Sequence, residues 1–316
     1  MNTTSNTRAF IEAEQYSDFI LTISHDGMLP EAFYRDVADF GSGEVLKIKT
    51  IGDVTLQEMS EDEPFVYNPI ETGNVTLQIT EFPGDAWYVT DKLRQDGAQI
   101  ESLMMARSTE STRAYHEYKE TKALATLNAG QTAGDLNEIN GFAHRYVATG
   151  ANNTLNIDDL NRMKLAFDKA QMPYAGRVAI VDPIVAATLN DKFQGTYNVD
   201  SNPTMQSILT DGFAVDHSFI MDVFGWNIMT SNRLPAVASE TIDGTTVTNG
   251  VANIFMCVQD DNVKALMYAD RQPLSVEGDR NKDLKRDEFV SSARYGFGVQ
   301  RVDSLGVILT SATAYK

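Results

Sequence analysis

The chain has 316 residues, of which 42% are apolar, 22% charged and 9% aromatic, the proportions of a folded globular protein rather than a disordered, collagen-like or disulfide-stapled one. With 44 acidic against 26 basic residues the formal charge is -18, which argues against a broad phosphate-binding surface of the kind nucleic-acid binders carry. The single cysteine, Cys257, excludes an internal disulfide and reads as a buried thiol in the apolar run 253–258.

The chain opens with the polar stretch Met1-Asn2-Thr3-Thr4-Ser5-Asn6-Thr7-Arg8, and Glu12, Glu14 and Asp18 follow. This lacks the apolar segment of a secretion signal, and no apolar stretch reaches membrane-spanning length, so a reducing cytoplasm is the expected site of synthesis. Residues 1 to about 40 carry short apolar clusters (Phe19, Ile20, Leu21, Ile23; Phe33, Val37, Phe40) broken by Asp26-Gly27 and Pro30. They read as an arm with one or two short helices.

From Gly41 to Glu81 the texture changes to alternation, with Val45, Ile48, Ile51, Val54 and Leu56 and then Val75, Leu77 and Ile79. This predicts a long β-hairpin or small sheet. Residues 50–91 hold nine acids (Asp53, Glu58, Glu61, Asp62, Glu63, Glu71, Glu81, Asp85, Asp91) and neither Lys nor Arg, half of the chain's charge imbalance. Such a run usually reads as a solvated acidic loop. Its apolar content is too small and elongated to bury itself, which suits an extended hairpin docking on a basic surface of another chain.

Residues 90–127 lack Pro, and Leu93, Ile100, Met104, Tyr115, Tyr118, Lys122 and Ala125 recur at helical steps, predicting one helix of about 55 Å with Thr90 as N-cap. Its middle, residues 107–113, is polar all round, as in helices that lie on a surface or bridge subunits. After a Gly/Asn-rich stretch, residues 157–167 form an amphipathic helix stopped by Pro173. Arg177-Val178-Ala179-Ile180-Val181 is a buried strand, and Asp182-Pro183 caps a helix through Leu189. Residues 224–229 and 251–258 read as strands, Asp243-Gly244 as a hairpin turn, and residues 279–288 as a charge-dense connection. Strand-like residues 289–300 and 306–310 close the chain.

No reaction chemistry emerges. His25, His116, His144 and His217 are dispersed with no metal-ligand spacing and read as incidental surface or capping residues. Gly41-Ser42-Gly43 lacks the third glycine of a dinucleotide loop and precedes a strand. Asp260-Asp261 is the one pair resembling half of a hard-cation site, although beside Asn262 it reads first as a turn. A metal-dependent hydrolase using these acids is therefore the weaker alternative, and no cofactor is expected.

The order of arm, acidic hairpin, long helix and α+β region resembles the major capsid proteins of tailed double-stranded DNA bacteriophages, the Hong Kong 97 fold. Two segments carry the likeness locally: residues 176–183 followed by a helix, and Gly225-Trp226-Asn227-Ile228-Met229-Thr230-Ser231-Asn232-Arg233-Leu234-Pro235. Arg294-Tyr295-Gly296 with Val299 resembles the family's ending. The resemblance implies an N-arm (1–40), an extended E-loop (41–85), a peripheral domain with a spine helix (86–149), an α+β axial domain (150–260) and a return to the peripheral domain (261–316).

It also implies self-assembly into hexamers and pentamers of an icosahedral shell in the host cytoplasm. A portal at one vertex, a separate scaffolding protein, a decoration protein in some shells and enclosed DNA without sequence-specific contacts complete the implied partners, and no membrane is involved. Some members crosslink through an E-loop lysine; here only Lys47 and Lys49 stand near the hairpin base, so an uncrosslinked shell is expected. The acidic tip, Glu58, Glu61, Asp62 and Glu63, is expected to face Arg94, Arg107 and Arg113 or Arg280, Lys282, Lys285 and Arg286 of a neighbour. A cell-encoded shell of the encapsulin kind is the nearest alternative.

Overall fold

A computed structural model describes residues 31–37, 43, 45–52, 58, 72–96, 100–196 and 219–315. The elements run β1 (Tyr34–Asp36), β2 (Val45–Ile51), β3 (Thr72–Gln78), β4 (Gly84–Thr90), α1 (Asp91–Asp96) and α2 (Ile100–Ala129). Then come β5 (Glu138–Ile139), β6 (Phe142–Ala143), β7 (Arg145–Val147), α3 (Ile157–Lys169), β8 (Arg177–Val181), α4 (Pro183–Thr196), β9 (Phe219–Val223) and β10 (Trp226–Thr230). The chain closes with β11 (Ala236–Ile242), β12 (Thr245–Cys257), β13 (Leu266–Asn281), β14 (Arg286–Val299) and β15 (Leu305–Ser311).

One mixed sheet has the order β7-β15-β12-β8-β10-β9, with β11 paired to the other end of β12. All five residues of β8 are buried, because both faces of the sheet are covered. Val178 and Ile180 pack with Ala123, Leu124 and Leu127 of α2, whereas Ala179 and Val181 join Leu160, Met163 and Phe167 of α3 and Val185 and Leu189 of α4. An unbroken apolar run is the sequence signature of a strand placed between two helical layers. On the α3 side Trp226 is fully buried and meets Phe167 and Phe255 edge-to-face, the arrangement aromatic quadrupoles favour.

Local signals set the helix ends. Asn156 caps α3, and the Asp159 side chain accepts the Asn156 N–H in return, a reciprocal capping box. Asp182 Oδ2 accepts the Ile184 N–H at 3.0 Å with Pro183 as the first helical residue, and α4 runs past the expected Leu189 to Thr196. Asp243 and Gly244 both take positive φ, as the tight turn between β11 and β12 requires.

A second sheet, β1-β13-β14-β4, lies against α2. On the α2 side Tyr115 meets Tyr295 edge-to-face, and Tyr34, Tyr268 and Phe297 complete an aromatic cluster. Lys119 Nζ sits 4.2 Å from the Tyr268 ring centre and donates to Tyr34 Oη at 2.9 Å. The antiparallel β2–β3 hairpin lays its base on the other face, where Leu77, Ile79, Leu46, Ile48 and Val75 pack with Met267 and Ala269. Gly296 makes this approach possible: a Cβ there would lie 2.3 Å from the Gln78 carbonyl oxygen.

Of the expected long helix two pieces are described, α1 and α2, and residues 97–99 between them lie outside the described residues. Thr90 does cap the first, accepting the Leu93 N–H at 3.3 Å. Phe224-Gly225 is a turn, not part of a strand, since both residues have positive φ, and β10 starts at Trp226. The charge-dense connection is the end of a long hairpin, because Asn281 pairs with Arg286 and leaves only four residues between β13 and β14.

β15 lies between β7 and β12, so residues 261–316 supply strands to both the four-stranded and the seven-stranded sheet. His144 is a fully buried core residue that stacks on Phe167 with Nδ1 3.1 Å from the Leu305 carbonyl oxygen. Burial lowers its pKa, which keeps it neutral. Cys257 is buried as expected, with its thiol pKa pushed up by that burial. The arm before Glu31, including His25, and His217 lie outside the described residues.

Candidate assembly surface

Of the expected contact residues, Arg94, Arg280, Lys282, Lys285 and Arg286 lie where β4 leads into α1 and β13 turns into β14, whereas Arg107 and Arg113 lie farther along α2. The alternation of β4 and β14 sends one set of side chains toward α1 and α2. Asp287 receives Arg94 at 2.6 Å and Arg280 at 3.1 Å, Asp85 receives Arg107 at 2.7 Å, and Asp91 receives Arg280 at 2.8 Å. Arg113 pairs with Glu110 and Glu117 within α2 at 2.7 and 2.6 Å. Arg286 pairs with Glu288 at 2.6 Å and lies 4.4 Å from the Tyr88 ring centre.

The five arginines singled out from sequence therefore have carboxylate partners inside the same chain. Solvent screens exposed pairs of this kind, so they orient the elements more than they stabilise them. Lys282 and Lys285 are exposed and form no ion pair among the described residues. Glu58 is exposed, while Glu61, Asp62 and Glu63 lie outside the described residues.

The same elements carry apolar side chains left in water. Met105 is 73% exposed, and Tyr88, Leu284, Leu103, Val290 and Leu93 are each exposed by at least 46%. Among the described side chains of α2, those from Leu103 to Lys119 are not buried, and the buried ones are Glu120, Ala123, Leu124 and Leu127, all in its last ten residues. A monomer gains nothing from leaving such side chains in water.

Three arginines with buried or part-buried carboxylate partners escaped the sequence reading. Arg145, 1% exposed, binds Glu240 through two hydrogen bonds of 2.8 and 2.7 Å and also donates to Asn128 Oδ1. Arg177 pairs with Asp168 at 2.7 Å and donates to the carbonyls of Pro173 and Met172. Arg233 reaches Glu117 at 3.0 Å and Glu120 at 3.2 Å, and Ser231 Oγ donates to Glu120 at 2.8 Å. The 231–235 segment thus ties the seven-stranded sheet to α2. The spacing of Glu117 and Glu120, which places two carboxylates on one helix face, was the available signal.

Asp261 pairs with Lys264 at 2.7 Å, and the Asp260 carbonyl accepts the N–H groups of Val263 and Lys264. These contacts build a turn. No group of three metal-ligating side chains occurs among the described residues.

A family described as phage capsid protein matches residues 73–310. No curated protein sequence matches the chain. Among solved structures, the chain is similar to one from the capsid of the cyanophage P-SCSP1u at 15% identity, covering 98% of this chain and 95% of that one, with a TM-score of 0.71. A chain of Mycobacterium phage Che8 is 17% identical, with 94% and 97% covered and a TM-score of 0.66. One from the mature capsid of bacteriophage PhiM1 is 14% identical, with 96% and 93% covered and a TM-score of 0.67. At these identities the likeness is one of fold.

Proposed function

Because the chain belongs to the phage capsid protein family and has the Hong Kong 97-type α+β fold, we propose that it assembles, through the sheet end and the acidic hairpin described above, into hexamers and pentamers of a closed shell. Its role is structural, that of a major capsid protein. Coverage supports this: the family match runs from β3 into β15, and the likeness to a capsid chain spans 98% of the chain.

In this reading residues 1–40 are the N-arm, 41–85 the E-loop, 86–149 the peripheral domain with α2 as spine, 150–260 the axial domain, and 261–316 the return to the peripheral domain with the C-terminal strands. The protein performs no catalysis and works with a separate scaffolding protein, a portal at one vertex and, in some shells, a decoration protein. Assembly takes place in the host cytoplasm. Many weak contacts suffice, since a subunit held by several neighbours is retained by their sum. A net charge of -18 repels phosphates and lets the enclosed DNA pack without adhering.

Electron microscopy with light scattering on the purified chain, with and without its scaffold, tests the reading. Uniform closed shells of megadalton mass are expected, and denaturing electrophoresis of them should give one subunit band, because only Lys47 and Lys49 lie near the hairpin. A monodisperse monomer or dimer even with scaffold would overturn the shell reading, and a ladder of linked subunits would overturn the uncrosslinked one.

A further inference from the structure

His144 stands just before β7 and grips β15 at two points. Its carbonyl accepts the Val307 N–H at 2.8 Å, and its ring Nδ1 lies 3.1 Å from the Leu305 carbonyl oxygen. The same Leu305 carbonyl accepts Gln131 Nε2 at 2.7 Å, from the turn that follows α2. One fully buried imidazole thus joins β7, the start of β15 and the end of α2.

A carbonyl oxygen only accepts, so Nδ1 carries the proton of the neutral ring and Nε2 is the bare nitrogen. Nε2 is buried and has no hydrogen-bond partner among the described residues. Packing leaves no slack here: the ring stacks on Phe167, and where β15 crosses α3 a Cβ on Gly306 would stand 2.5 Å from Met163 Sδ and 3.1 Å from Phe167 Cε2. The Ala166 carbonyl of α3, which would favour a second proton on the ring, already accepts the Ala170 N–H at 2.9 Å. The charged side chains next to these contacts are paired elsewhere: Arg145 with Glu240, Asp168 with Arg177, and Asp303, ahead of β15, with Arg301. Asp303 attracts a cation at the ring, but from a side chain 42% exposed to water, where the attraction is screened.

We propose that His144 is a proton-operated pin of the seven-stranded sheet: uncharged, it holds the start of β15 in place, and as the imidazolium it leaves the core and lets β15 loosen ahead of its neighbours. An unpaired charge is not tolerated in such a site. Burial sets the sign, because it lowers the affinity of the folded ring for the proton. The unfolded chain binds that proton near pH 6.5 and the folded one only at lower pH, so stability is complete above this range and falls as pH drops through it. β15 feeds three hydrophobic clusters, so acid acts on the interior of one subunit and not on a contact between copies. The inference therefore stands apart from the shell-forming reading.

Hydrogen exchange at the amides of residues 307–309 in the full chain tests it, with rates corrected for the intrinsic effect of pH. Protection should fall about tenfold between pH 7 and pH 5.5 in wild type, and no more than about twofold in His144→Gln, whose side-chain amide keeps a donor for Leu305. Amides of β14, in the other sheet, should change alike in both proteins. If His144→Gln does not fold, nuclear magnetic resonance titration of the wild-type ring takes its place: His144 should stay uncharged well below pH 6.5, and its protonation should coincide with the loss of protection in β15. Equal losses in wild type and variant overturn the inference. So does a ring that titrates near pH 6.5 while β15 stays protected.

Discussion

An Arg145→Ala chain is expected to lose about 3–5 kcal/mol of stability, because removing one member of a buried pair strands the other as an uncompensated charge. Arg145 is 1% and the Glu240 side chain 8% exposed, and the two share a two-bond contact. Glu240 has one other described partner, the Gly134 N–H at 2.8 Å, which cannot replace a guanidinium. A double Arg145→Met, Glu240→Leu chain should lose much less, since neither charge then needs burying.

The pH dependence follows from the direction of the Glu240 shift. Hydrogen bonds from Arg145 hold its carboxyl below the usual glutamate range. A group depressed on folding adds stability that is complete above its unfolded pKa and is lost as pH falls through the folded one. The melting difference between wild type and Arg145→Ala should therefore be widest near neutral pH and narrow in acid. Equal melting temperatures at pH 7 would refute the argument.

Gly296→Ala should displace the hairpin. The added Cβ would stand 2.3 Å from the Gln78 carbonyl oxygen and 2.9 Å from Ile79 Cα, backbone atoms that cannot rotate aside. Overpacking of this kind costs about 1–3 kcal/mol, and here the relief is movement of the β2–β3 base away from Met267 and Ala269. Because the acidic stretch is carried on that base, shell yield should fall further than stability alone explains. Gly278→Ala is the matched control, since its nearest neighbours are atoms of the Phe289 ring at 3.2 Å, an element free to shift slightly. If Gly296→Ala kept both wild-type melting and wild-type yield, the hairpin would not depend on this contact.

The elements legible in the sequence are those whose signals are local. β8 showed as an apolar run with a Pro-capped helix behind it, α3 as an amphipathic helix opened by an Asn cap, and the β11–β12 turn as Asp-Gly. β11 did not show: Ser239 and Glu240 interrupt its alternation, and Glu240 makes sense only against Arg145, 95 residues away. In the same way, the arginines of the sheet end were visible as cations, but the Arg94–Asp287 and Arg280–Asp91 pairs each span about 190 residues. Periodicity and spacing report what a segment buries; they carry no record of a distant partner. The candidate surface was thus expected from its charge, and which of those charges pair within the chain only folding reveals.

The place of β15 also sets an order of events in time. It sits between β7 and β12 and supplies Leu305, Val307, Ile308 and Leu309 to three hydrophobic clusters, yet it leaves the ribosome after every other strand of its sheet. Translation at about 5–20 residues per second therefore delivers a chain whose central layer stays open until its last strand arrives, and nascent chains stopped before Leu305 should remain open to proteases. Neighbouring chains growing on one messenger are held short of a finished subunit together. The order of synthesis therefore puts closure of this sheet before any contact that needs the finished subunit.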